Sequence, residues 1–221
     1  METPAPPIPD VQTLEARWFV RGPLPPAVAA WFGGPPPEAR TDRYLPAPTD
    51  DLGVKARADR LEAKARLSAE GPFHVGRASG RIEAWRKWSF VLAGGPAAAS
   101  KTAGWRDVGK RRRQQRCGPD GARRPDSAPA GTTCAIELTE IDADGAPWWS
   151  VCLEATGPTE ADRRAVLAAT AAAWLARPDA PDLPAAASMG YPEWLRRLDA
   201  ERTSGAAPGS AAPLGAPVGS L

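Results

Sequence analysis

From residue 13 to residue 156, apolar and charged residues alternate almost one by one, the pattern of strands whose two faces meet different surroundings. Thr13–Val20 is the first such run, with Thr13, Glu15 and Arg17 opposing Leu14, Ala16 and Trp18. Asp42–Pro46 is a second, short one. Residues 52–67 (LGVKARADRLEAKARL) read as two strands around a tight turn at Ala58-Asp59-Arg60. Lys55, Arg57, Glu62, Lys64 and Arg66 fall on one face, and Val54, Ala56, Leu61, Ala63, Ala65 and Leu67 on the other. Residues 80–90 place Arg81, Glu83, Trp85 and Lys87 against Ile82, Ala84 and Trp88. Residues 104–116 form another run, and residues 131–157 a hairpin turning at Asp142-Ala143-Asp144-Gly145. In that hairpin Glu137 and Thr139 oppose Ile136 and Leu138, and Cys152 and Glu154 oppose Val151, Leu153 and Ala155.

The period changes to helical in three places. Residues 23–32 (PLPPAVAAWF) predict a short helix with prolines at its start and Gly33-Gly34 after its end. Thr159–Ala176 predicts a longer one, with Glu160 and Asp162 in its first turn and Val166, Ala169, Thr170, Ala173 and Trp174 on one face. Residues 191–202 (YPEWLRRLDAER) predict a third. Many short strands and few helices imply an α+β fold, an antiparallel, tunnel-like β-barrel with flanking helices. Residues 13–200 are expected to form one barrel domain with C-terminal helices. The proline-rich residues 1–12 and the Gly/Ala/Pro/Ser tail 204–221 are expected to be disordered. Residues 35–40, 93–104 and 118–131 read as loops, the last of them mobile, with no role assigned to the latter two.

Composition narrows the function classes. Of 221 residues, 28 are basic and 26 acidic, so charge chemistry has to come from local arrangement. That balance argues against nucleic acid as a partner, and the basic run Lys110–Arg113 is split across two faces by the alternation. No apolar run is long enough for a bilayer, and the N-terminus lacks the basic start and apolar stretch of a secretory signal. A cytoplasmic protein with no membrane partner is expected. Cys117, Cys134 and Cys152 match no zinc spacing, and an odd number suits a reducing compartment. The nine tryptophans, Trp85, Trp88, Trp148 and Trp149 among them, read as packing residues. His74 has no serine or cysteine partner for a triad and reads as a surface loop residue. Asp142-x-Asp144-Gly145 reads as turn chemistry rather than a calcium loop.

A sheet with one solvated face gives the same alternation. If the sheet closes, however, its charged face becomes the interior of a barrel. A lumen lined by lysine, arginine and a few glutamates is a site for a polyanion, and its glutamates are able to hold a divalent cation.

The order of the charged strands resembles the CYTH family, the triphosphate tunnel metalloenzymes, over residues 13 to 156. That family opens with a Glu-x-Glu-x-Lys strand before an apolar run. Here the corresponding run is Thr13-Leu14-Glu15-Ala16-Arg17-Trp18-Phe19-Val20, with threonine at the first position. An aspartate/tyrosine strand (Asp42, Tyr44), a basic strand pair (Lys55, Arg57, Lys64, Arg66), a later basic strand (Lys110, Arg112) and two glutamate strands (Glu137, Glu154) follow in the family's order. The resemblance implies that Arg17, Lys55, Arg57, Lys64, Arg66, Lys87, Lys110 and Arg112 grip phosphates. It implies that Glu15, Glu137 and Glu154 bind Mg²⁺ or Mn²⁺, which would activate water for hydrolysis of a triphosphate or polyphosphate. Thr13, Thr139 and Cys152 stand where the family carries carboxylates, and a site with fewer carboxylates holds metal less tightly. The alternative is therefore a non-catalytic module that binds a polyphosphate, a nucleotide or an acidic partner.

Overall fold

A computed structural model describes residues 10–57, 60–91, 104–125 and 131–204. Its strands are β1 (Asp10–Arg21), β2 (Glu38–Tyr44), β3 (Leu52–Arg57), β4 (Arg60–Val75), β5 (Ala78–Val91), β6 (Arg106–Cys117), β7 (Arg123–Arg124), β8 (Thr133–Ala143) and β9 (Ala146–Thr156). Three α-helices accompany them: α1 (Pro26–Phe32), α2 (Glu160–Leu175) and α3 (Tyr191–Thr203). Eight strands close in the order β2-β3-β4-β5-β1-β9-β8-β6, and a second β2–β6 ladder returns the sheet to its start. Every ladder is antiparallel, and β7 is an extra strand on the edge of β6. The α+β barrel is the fold that the alternation implies. Among the described residues, no helix is long and apolar enough to cross a membrane.

Closure gives the two faces different fates. The outward side chains of β1, β8 and β9 (Leu14, Ala16, Trp18, Ile136, Leu138, Val151, Leu153) pack under α1 and α2. Helix α2 begins in a capping box, in which the Asp162 amide donates to Thr159 Oγ1 at 3.1 Å and the Thr159 amide to Asp162 Oδ2 at 3.2 Å. Its buried face is Val166, Leu167, Thr170, Ala171, Trp174 and Leu175. That stripe is rotated from the expected one, and Ala173 is exposed, because the bulkier Leu167 and Leu175 claim the sheet.

Several boundaries differ from the sequence expectation. Asp10–Gln12 are not disordered: they pair with Arg86–Trp88 of β5. Strand β2 begins at Glu38, inside the stretch read as a proline-rich loop, because β6 supplies a ladder from Arg112 to Arg106. Strand β4 continues past Leu67 to Val75 through two register shifts, so His74 lies in a strand, exposed, with Nδ1 3.0 Å from Ser79 Oγ. Part of 118–131 is ordered as a turn and β7, with the Gly118 amide donating to the Ala122 carbonyl at 2.9 Å. Gly121, at φ 74°, lets that turn press onto α2, where a Cβ would stand 2.6 Å from the Ala169 carbonyl oxygen. The loops read at 93–103 and 126–130, the turn residues Ala58 and Asp59, residues 1–9 and the tail 205–221 lie outside the described residues.

Candidate functional site: a charged lumen

The charged face of each strand turns inward. Register carries the lining around the barrel: Tyr44 opposes Lys55, which opposes Glu62, and Lys64 opposes Lys87. Glu15 lies between Glu83 and Glu154 on its two neighbouring strands. Arg17 continues through Cys152 and Glu137 to Gln114, and Lys110 opposes Arg40. The result is a cavity of about 280 Å³ lined by eight basic side chains and four carboxylates. Ten of the eleven residues singled out in the sequence line it: Glu15, Arg17, Lys55, Arg57, Lys64, Lys87, Lys110, Arg112, Glu137 and Glu154. Arg66 does not. It is drawn aside to Glu83 (2.7 Å) and lies over the Trp85 ring.

At the floor, Lys110 Nζ donates to Asp42 Oδ2 at 2.8 Å and to the Tyr44 hydroxyl at 2.7 Å, and stands 4.1 Å from the centre of the Tyr191 ring. Burial pushes the Lys110 ammonium down to about 8, more than the facing Asp42 charge restores. Burial would raise Asp42, but Lys110 and Lys55 overcome it and hold the carboxyl down to about 2. Glu137 shows the same contest. Desolvation opposes its charge, while Arg17 (3.2 Å), Arg112 (3.5 Å) and the Lys110 field hold it down to about 2. Cys152, between Arg17 and Glu137, is fully enclosed, and burial keeps its thiol protonated, well above the ordinary range.

Nearer the mouth the pairing thins. Lys64 bonds to Glu15, which also accepts from the Thr13 hydroxyl at 2.6 Å, and lies 3.9 Å from Glu154. Lys55 pairs with Glu62 at 2.9 Å. Arg57 and Lys87 have no ion pair with any described residue, although Glu62 feels both charges.

Each glutamate expected to bind a metal faces a cation of the barrel: Lys64 for Glu15 and Glu154, Arg17 for Glu137. Among the described residues no three His, Cys, Asp or Glu side chains are grouped to hold a metal ion. Glu15 is engaged by Lys64 and Thr13, and Glu137 by two arginines and Thr139 (3.1 Å), so a cation would have to displace existing donors from each. The threonines at 13 and 139 solvate these glutamates instead of adding charge beside them.

Four charged or tyrosine residues of the lining were not foreseen as site residues. Arg40 hid in the proline-rich stretch, although Arg40-x-Asp42-x-Tyr44 alternates. Tyr44 had been placed in a family strand without a role. Glu62 alternates with Lys64 and was legible. Tyr191 gave no local signal, because it reaches the lumen from a helix. No protein-family model matches the chain, and a search of curated proteins finds no match.

Proposed function

We propose that the lumen binds a small polyanion of the triphosphate or short polyphosphate class, gripped by lysine and arginine without a resident metal. The observation that carries this reading is the excess of cations over carboxylates on an inward-facing wall, with Lys87 directly opposite Lys64 and without an ion pair to any described residue. Like charges directly opposed across a ladder destabilise a sheet, and a phosphate chain between them removes that cost. The resemblance to CYTH proteins points to the same ligand class, and a reducing cytoplasm suits three buried free thiols. A second reading, metal-dependent hydrolysis, draws on the row Glu83, Glu15 and Glu154 across three neighbouring strands. It requires Mg²⁺ or Mn²⁺ to displace Lys64 from Glu15.

Thermal unfolding with and without tripolyphosphate, each with and without Mg²⁺ or Mn²⁺, separates the two readings. A ligand that binds only the folded state raises the melting temperature. A rise independent of metal, lost in Arg57→Ala, supports the metal-free binder. A rise that requires metal and is lost in Glu15→Gln supports the hydrolytic reading and calls for a phosphate-release assay. No rise at millimolar ligand overturns both.

A further inference from the structure

We infer that the lumen is entered from one end only, so that its ligand is recognised by a free terminus: a linear phosphate chain goes in end-on, and a chain capped at both ends is refused. This rests on the polyanion reading above.

Helix α3 closes the far end. Its Trp194 ring stacks on Phe19 at 4.6 Å between centroids, and its Tyr191 ring stacks on Tyr44 at 5.2 Å. Phe19 and Tyr44 share the inward parity of Arg17 and Asp42, so α3 plugs the barrel rather than lying on its side. Exposure runs the same way. The Lys110 side chain at the floor is 3% exposed, whereas Lys64 and Glu154 nearer the mouth are 28% and 34% exposed.

A second cavity, of about 720 Å³, lies further along α3, against Leu195, Asp199 and Arg202, and is lined by Asp107, Asp142, Asp144 and Asp199 together with Arg106 and Arg202. Arg106 is held there by Asp199 at 2.6 Å and Asp144 at 3.4 Å. There four aspartates outnumber two arginines, whereas the mouth offers Arg57 and Lys87 with no ion pair to any described residue. This fixes the direction of approach by repulsion as well as attraction. The terminal phosphate of a linear chain bears one more ionisable oxygen than an internal one, so the end that reaches Arg17 and Lys110 is also the most charged. A lumen of about 280 Å³ has no room for a bulky cap beyond the phosphates.

Calorimetric titration of the full chain at fixed ionic strength tests this with three probes: linear tripolyphosphate, a nucleoside triphosphate with one free terminus, and a dinucleoside polyphosphate of matched formal charge with none. The first two are expected to bind, and the third at least about tenfold more weakly. Equal binding of the third overturns one-ended entry and leaves the polyanion reading standing. If the nucleoside triphosphate is as weak as the doubly capped probe, bulk rather than the missing terminus is being refused, and the inference also fails. Binding by none of the three overturns the lumen reading and this inference together.

Discussion

The two ends of the barrel are built from the same eight strands and solve opposite problems. At the plugged end the inward positions are Phe19, Tyr44, Val108, Ile141 and Ala143, and α3 fills the space between them with Trp194, Leu195 and Leu198. Burial there is apolar, and ring stacking adds to it. At the other end the inward positions are lysine, arginine and glutamate, and among the described residues no element enters to cover them. Where they meet, Lys110 lies between two tyrosine rings and bonds to a fully buried Asp42. One end of the lumen is therefore an apolar plug, and the other holds Arg57 and Lys87 without an ion pair to any described residue.

Substitutions that treat the two ends alike should expose the difference. Trp194→Ala, at the plug, is expected to cost about 3–5 kcal/mol in urea unfolding, as large aromatic truncations in cores do. Arg57→Ala, at the mouth, should shift stability by less than about 0.5 kcal/mol. Equal costs would mean that the mouth is structural too. Asp42→Ala, at the boundary, strands Lys110 and Lys55 in a buried site and is expected to cost about 3 kcal/mol. A near-neutral result would show that water reaches the floor.

The ligand side of the comparison is smaller in energy. Lys87→Ala should weaken tripolyphosphate about tenfold, or about 1.4 kcal/mol, with an unchanged urea midpoint. An unaltered affinity would place the ligand elsewhere. The pH dependence should also divide at the floor. Lys110, pushed down to about 8, gives up its proton as pH rises through that value, so tripolyphosphate affinity should fall there and the inflection should vanish in Lys110→Met. On the acid side Asp42 and Glu137 have folded-state values of about 2, below their ordinary ones. Their stabilising contribution is complete above the ordinary carboxylate range and is lost as pH falls from there toward 2. Acid unfolding monitored in Glu137→Gln should therefore lose part of its slope in that window.

Much of this arrangement could be read one strand at a time. Glu15-x-Arg17, Lys55-x-Arg57, Lys64-x-Arg66 and Lys110-x-Arg112 each announce a face by a period of two, and ten of the eleven residues that the family resemblance picks from those faces line one cavity. Arg66 has the right parity and still does not line the cavity, because its partner Glu83 comes from the next strand and competes for it. The surroundings of the glutamates were hidden for the same reason. The three glutamates share a face, but whether carboxylates meet one another or meet lysines depends on stagger around the barrel, which no single strand records.

By itself, then, the sequence determined the strands, their two faces and the helical segments, since these follow from local spacing and from the solvation of charged side chains. Only the tertiary structure decided that the charged face is an interior, that α3 blocks one end of it, and that each carboxylate is matched to a cation. Those outcomes depend on closure of β2 against β6 and on a helix more than 140 residues after β2. Contacts between residues so far apart leave no periodicity in the chain to read.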